Sequence, residues 1–447
     1  MAEQPINSLN QLTYALLAND YEHVTRILQK LHPAEIAHIF EALTTSQREL
    51  AWPYVAHEHE GEILLHLNDE VRSNLIDTMD SKQLIAATET LEADELADIL
   101  PEMPQEVINE LLMSMEDQER SRLESVLSYD EDSAGGLMDL NTVVVRADIN
   151  LDVVSRYLRL RSELPNGTDN LFVVDRVGIY LGTLPLIDLL TNQPDLKVSD
   201  LIKTDVDAIL ASMPANEVAL IFEQRDLISA PVVDSENKLL GRITIDDIVD
   251  VIRDESDHSF MSMAGLHEDN DMFAPVLTST RKRTLWLGIN LLTAFLASWV
   301  IAHFTVALEK IVALAILMPI VASMGGIAGS QTLTLVIRGL ALGQVSEINS
   351  KRLLQKELLI GISNGIIWSL VVAVIVGIWF DFPQLSLIIA FAMMITLVLA
   401  AAAGAIIPIA LNKIGADPAL AGGVVLTTIT DIVGFFTFLG IATIYLI

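Results

Sequence analysis

Asp431 lies deep in the last apolar stretch of the chain, where a carboxylate can do little except meet a cation or a proton. An ionisable group held inside a membrane is costly and by default marks an ion or substrate path. Residues 319–343 read PIVASMGGIAGSQTLTLVIRGLALG. There Gly325, Gly326, Gly329 and Ser330 interrupt an apolar run, and Ser323, Gln331, Thr332 and Thr334 add hydroxyls and an amide. Lipid cannot satisfy such groups, so they need a partner helix or a watery cavity. A tight small-residue interface that conducts nothing is the other use of the same residues.

Charge says which ion such a path would favour. The formal net charge is −32. Residues 281–447 hold nine Lys/Arg against six Asp/Glu, so residues 1–280 carry −35. A field of that sign repels nucleic acid and anionic lipid and gathers cations. Solubility alone needs far less charge. The absence of cysteine removes disulfides and thiolate metal sites and fits a reducing compartment. No Walker A sequence is present, which argues against pumping by ATP hydrolysis.

Five apolar spans must position Asp431: residues 284–306, 311–340, 358–380, 385–411 and 419–447, each long enough to cross a bilayer. Arg281, Lys282 and Arg283 precede the first. Arg338, Lys351, Arg352 and Lys356 lie between the second and third, and Lys413 between the fourth and fifth. The positive-inside rule then puts residues 1–283 in the cytoplasm, below a cell (inner) membrane, with the C-terminus outside. The opening residues lack a basic, then apolar, leader pattern, in keeping with that placement. Pro319 and the glycines are expected to bend or break the second span, and Pro408 the fourth.

Residues 1–130 read as helical. LHPAEIAHIF, LNDEVRSNLI, LEADELADIL and MEDQERSRLE begin at Leu31, Leu67, Leu91 and Met115. Each is an apolar residue, a capping residue, then a helix with apolar positions three or four apart, which suggests a small helical solenoid. Residues 138–252 alternate strand and helix in two similar halves about 60 residues apart. LFVVD (171–175) and APVVD (230–234) are strands. Each is followed by a second strand carrying Gly182 or Gly241 and by a helix that opens with Asp188 or with Asp246, Asp247 and Asp250.

This module resembles a pair of CBS domains. GRITIDD (241–247) has that family's adenosine-ligand pattern, which implies Thr244 facing phosphate and Asp247 facing ribose. GTLPLID (182–188) has Pro185 where the threonine belongs. CBS pairs also serve as cation-responsive modules without nucleotide, so ATP stays an open ligand.

The whole chain resembles the MgtE family of magnesium channels and transporters. LHPAEIA at 31–37, SAGGLM at 133–138, NLLTAFLAS at 290–298, the Gly-Gly and Gly-Ser-Gln run after Pro319, RGLALG at 338–343, KELLIGISNG at 356–365, and DPALAGG and TTITD at 417–431 carry the likeness. It implies a multidomain membrane protein: helical N-terminal domain 1–130, tandem CBS 131–252, connecting plug helix 253–283 and a five-helix transmembrane domain 284–447. It also implies a homodimer in the lipid bilayer that passes Mg2+. Asp431 aligns with the pore aspartate. Asp417, Asn364, Thr427 and Thr428 are further lining candidates beside Gly325 and Gly326. Regulatory Mg2+ ligands are implied among Asp94 and Asp98 of the solenoid, Glu217 and Asp226 of the CBS pair, and Asp246, Asp247, Asp250, Glu255 and Asp257 near the hinge. Bound cations would neutralise facing carboxylates and draw the domains together. The family usually has Asn after Gly-Gly, and this chain has Ile327. That departure sustains a second reading, a membrane-anchored cation or nucleotide sensor that conducts nothing. An enzyme reading is weaker. Asp417, Asp431 and the PAL tripeptide at 418–420 resemble intramembrane aspartyl proteases, yet the G-x-G-D signature is missing.

Overall fold

Short capped helices build the front of the chain. The computed structural model describes residues 3–89, 91–161, 164–267, 270–346 and 348–446. Contacts divide the chain into two units: Met1–Ser256 with Asp269–Pro275, and Asp257–Glu268 with Val276–Ile447. In the first, the four sequence units fold alike. Leu31, Leu67, Leu91 and Met115 pack on one apolar core, and the next residue in each, His32, Asn68, Glu92 and Glu116, stands at the N-cap of a helix. The helices run Pro33–Glu41, Asp69–Ile76, Ala93–Ile99 and Asp117–Val126. Such short helices hold only because an amphipathic face is buried. Arg48, 1% exposed, closes the same unit. It donates to the Phe40 carbonyl at 2.7 Å and through both terminal nitrogens to Asp271 at 2.5 and 2.8 Å. The Asp271 amide in turn donates to Glu70 at 2.7 Å. A buried guanidinium–carboxylate pair this fully bonded fixes the stretch 270–273 on the solenoid.

The α/β module holds two three-stranded sheets of one plan. In the first, β1 (Val144–Arg146) runs parallel to β2 (Asn170–Val174), which pairs antiparallel with β3 (Tyr180–Pro185). In the second, β4 (Ile209–Leu210), β5 (Ser229–Val233) and β6 (Leu239–Thr244) repeat it. Even the bulges repeat, at Val173/Val174 and Val232/Val233. The duplicated halves differ where the helix begins. At the start of the helix Ile245–Ser262 the Asp247 carboxylate reaches back to cap Thr244, accepting from its amide at 3.4 Å and its hydroxyl at 3.2 Å, and that hydroxyl also meets Asp246. Pro185 offers neither donor at the start of Leu186–Thr191, and Asp188 pairs instead with Lys203 at 3.1 Å.

In the second unit, five helices among the described residues are long and apolar enough to cross a membrane: Val276–Ala302, Val312–Ala341, Ser350–Phe380, Pro383–Lys413 and Pro418–Leu446, here spans 1 to 5. Spans 2, 4 and 5 share a core of Leu314, Leu317, Val321, Ile389, Ala392, Phe438 and Leu439. Span 2 departs from expectation. It is one unbroken helix with Pro319 inside it, and span 4 is likewise continuous through Pro408. The glycines serve close approach rather than a break. A Cβ on Gly325 would stand 2.7 Å from Thr396 Cγ2, and one on Gly404 would stand 2.5 Å from the Gly329 carbonyl oxygen. Small residues let helix backbones meet where no hydrophobic force drives them together. Gly404→Val should therefore push spans 2 and 4 apart and cost about 1–3 kcal/mol. A lowered Tm of the detergent-solubilised chain is the expected reading, and an unchanged Tm would show that this contact yields freely.

Candidate functional site

Because span 2 is continuous, its helical period sorts small and polar residues onto two faces. Gly325, Gly329, Leu333 and Val336 are buried against neighbouring helices. One residue further round, Ser323, Gly326, Ile327, Ser330, Gln331 and Thr334 line a cavity of about 690 Å3 with Thr427 and Asp431 of span 5. A 3.6-residue helix produces this split whenever two i, i+4 series are offset by one position. Asp431 is half-buried at the wall of this cavity. Ile327, 56% exposed, stands beside it, where an apolar side chain leaves a dry patch. Thr427 offers its hydroxyl oxygen to the cavity while donating to the Gly423 carbonyl at 2.9 Å. The arrangement is one charge among hydroxyl and amide oxygens, suited to an ion that keeps its waters.

The other lining candidates lie elsewhere. Gly325 packs and does not line. Thr428 donates to the Val424 carbonyl at 2.7 Å and is not among the lining residues. Asn364 borders a separate, smaller cavity. Asp417 caps span 5, accepting from the amides of Ala419 and Leu420 at 2.8 and 3.1 Å, and His258 Nε2 lies 3.4 Å from it.

A second candidate site belongs to the first unit. Glu92, Asp94 and Asp139 each bring a carboxylate oxygen within 4.8 Å of one another, a spacing that a metal ion could bridge. Asp94 Oδ1 is buried and accepts no hydrogen bond, so this donor set suits a cation. Asp139 already pairs with Arg242, 6% exposed as a side chain, at 2.9 Å, and takes the Asn141 amide at 2.5 Å. Burial, then Asp139 and Asp247, push the Asp94 carboxyl up to about 8. Burial, then Asp246, raises Asp247 to about 7 against the hydrogen bonds from Thr244. Asp98 is exposed by area yet crowded by protein atoms; burial, then Glu131, raises it to about 7. Glu92 is raised as well, by burial and then by Asp139. Carboxyls raised together in one cleft repel one another and so invite either protons or a metal.

Thus Asp247, far away in sequence, acts on both Asp94 and Asp98 across this cleft. Asp246 adjoins it through Thr244. Asp250, Glu255 and Asp257 are exposed along the helix Ile245–Ser262. Glu217 and Asp226 mark opposite ends of the helix Ala215–Arg225, about 13 Å apart along its axis, and both are exposed. Asp139 and Glu92 were missed in sequence. Each had a signal: Asp139 directly follows SAGGLM, and Glu92 opens the repeat that carries Asp94 and Asp98.

Family models of known proteins match three segments. One described as "Divalent cation transporter" covers residues 318–441, the MgtE intracellular N domain covers 31–132, and a CBS domain covers 198–254. The magnesium transporter MgtE of Bacillus subtilis is 30% identical over 420 residues, 94% of this chain and 93% of its own. That of Thermus thermophilus is 28% identical over 97% of this chain and 98% of its own. A crystal structure of the cytosolic domain of the Mg2+ channel MgtE in complex with ATP covers 54% of this chain and 99% of its own at 28% identity, with a TM-score of 0.49. The B. subtilis relative matches nearly end to end, and the N-domain, CBS and transporter segments follow one another in order, so the chain belongs to the MgtE family of divalent cation transporters.

Proposed function

We propose that the chain is a Mg2+ channel or transporter, homodimeric, set in the cell membrane with its acidic domains in the cytoplasm, and closed by cytosolic Mg2+. The observation that carries transport is Asp431 in a cavity of about 690 Å3 cut into otherwise apolar spans. Among the described residues only spans 2 and 5 line that cavity, so one chain would give a groove rather than a closed conduit. A second copy across a two-fold axis would close it and bring two Asp431 carboxylates to one divalent ion. Two charges acting through retained waters attract Mg2+ without a cage that would trap it.

Regulation is assigned to Glu92, Asp94, Asp98, Asp139 and Asp247, with Asp246, Asp250, Glu255, Asp257, Glu217 and Asp226 as peripheral ligands. Mg2+ in this cleft would replace repulsion by attraction and so favour one arrangement of the acidic domains over another. Adenine nucleotide at 241–247 would compete with this role, because Thr244 and Asp247 already bond each other. The experiment is Mg2+ uptake into proteoliposomes, with cytosolic-side Mg2+ varied. We expect uptake that falls as cytosolic-side Mg2+ rises through the millimolar range. Ile327 favours the sensor reading, and a chain that binds Mg2+ yet passes none, but conducts once Ile327→Asn is made, would establish it and end the channel assignment.

A further inference from the structure

A second carboxylate is buried in the membrane unit, outside the Asp431 cavity. Glu357, near the start of span 3, is 3% exposed. Its Oε2 accepts from the hydroxyl of Thr332 of span 2 at 3.1 Å. Its Oε1 has no hydrogen-bond partner. The ammonium of Lys356 stands 3.9 Å from that oxygen, an ion pair beyond hydrogen-bond reach, on a side chain 64% exposed. Glu357 borders a cavity of about 170 Å3 whose other polar walls are Gln331, Thr332, Asn364 and Lys356 itself. Gln331 also lines the Asp431 cavity, so one amide borders both spaces.

We propose that this chamber is a second intramembrane site for a partly hydrated, hard divalent cation, with Glu357 Oε1 as its charged ligand and Gln331 and Asn364 as neutral oxygen donors, while Thr332 only holds the other carboxylate oxygen. A buried carboxylate with one orphaned oxygen needs a positive partner. A proton would serve only if Oε1–H found an acceptor, and none bonds it here. Lys356 is a replaceable counter-ion, since its flexible stem leaves the ammonium in reach of water. The donor set is all oxygen, which selects Mg2+-like ions over soft metals. At roughly 30 Å3 for each water, the chamber holds an ion together with about five waters. Gln331 gives the ion a shared boundary with the Asp431 cavity, so the chamber is a waiting position beside the path.

Mn2+, which takes the same octahedral oxygen coordination, is the probe. Crystals of the full chain soaked in Mn2+ and measured at the manganese edge should show a peak within about 5 Å of the Glu357 carboxylate, the reach of one bridging water. Glu357→Gln keeps an acceptor for Thr332 but removes the charge, so that peak should vanish while any peak at Asp431 stays. Mg2+ uptake should fall by at least about tenfold. Thr332→Val, which removes the hydrogen bond and keeps the charge, should retain the peak and most of the uptake. If Glu357→Gln fails to assemble, Lys356→Gln decides: loss of the competing ammonium should lower the Mn2+ concentration needed for half occupancy. No peak at Glu357 when Asp431 is occupied, or half occupancy unmoved by Lys356→Gln, overturns the site. So does equal damage from Thr332→Val and Glu357→Gln. The uptake arm rests on the proposed transport; the manganese arm does not, so failure of one is distinguishable from failure of the other.

Discussion

Asp431→Ala should lower Mg2+ uptake by about a hundredfold, because the attraction between a carboxylate and a divalent ion within a low-dielectric wall is worth several kcal/mol. Asp431→Asn should do nearly the same, since it keeps the volume and removes only the charge. Neither change should disturb assembly. Asp431 is half-buried at the cavity wall, and the buried contacts that hold span 5 run through other side chains, Leu426, Thr430, Gly434 and Phe438, which neither change alters. Isotope or dye-reported uptake in proteoliposomes, with size-exclusion behaviour as the control for folding, measures both. Near-normal uptake by a well-assembled Asp431→Ala protein would remove the pore assignment.

The acidic cleft should show the second large effect, in opposite directions for stability and for cation binding. The Asp94 carboxyl is raised in the folded protein from 3.8 to about 8. Between those values the folded state keeps protons that the unfolded chain has released. The stability of the metal-free protein therefore falls as pH rises from about 4 to about 8. Asp98 and Asp247, raised to about 7, act in the same sense over the lower part of that window. Asp94→Asn should relieve the strain. One pH unit of displacement is about 1.4 kcal/mol, and solvent at the cleft discounts the whole, so a gain on the order of 2 kcal/mol is expected at pH 8 without metal. The same variant should lose Mg2+-dependent compaction. In the unaltered chain Mg2+ must displace protons, so its apparent affinity should climb between pH 6 and pH 8. Thermal unfolding and small-angle scattering across that range, with and without Mg2+, would report both. A radius of gyration that Mg2+ leaves unchanged at pH 8, together with no gain from Asp94→Asn, would reduce the acidic residues to a solubility feature.

The chain also shows how a family departure gains meaning from its surroundings. Ile327 could have faced lipid or a packed interface, where an apolar residue costs nothing. Instead it borders the Asp431 cavity with Ser323 and Ser330. Its exposure therefore bears on the proposed ion path, and it is why transport by the unaltered chain must be measured directly.

Sequence alone determined what depends on near neighbours and on composition. The five apolar runs became five long helices, because a continuous apolar stretch of this length specifies its own backbone hydrogen bonding. The repeated leucine-plus-cap units became helix starts at His32, Asn68 and Glu92, since capping is settled within three or four residues. The strand pairs around Gly182 and Gly241 followed from alternation and turns. Asp431 was legible because a charge in an apolar run has few uses. Tertiary structure decided which distant groups meet. Glu92 and Asp94 reach Asp139 because Asp139 is bridged to Arg242 on the edge of the second sheet, a pairing across 103 residues that no local pattern encodes. It also decided that Gly325 and Gly329 of span 2 pack while their neighbours, Gly326 among them, line a cavity. The same Gly-Gly pair could break a helix or let another helix close in, and only the presence of Thr396, Leu426 and the Gly329–Gly404 contact selects the second outcome. Glu357 went unread for the same reason: beside Lys356 it looks like an ordinary helix-end charge, and only spans 2 and 4 folding over it turn it into a buried one.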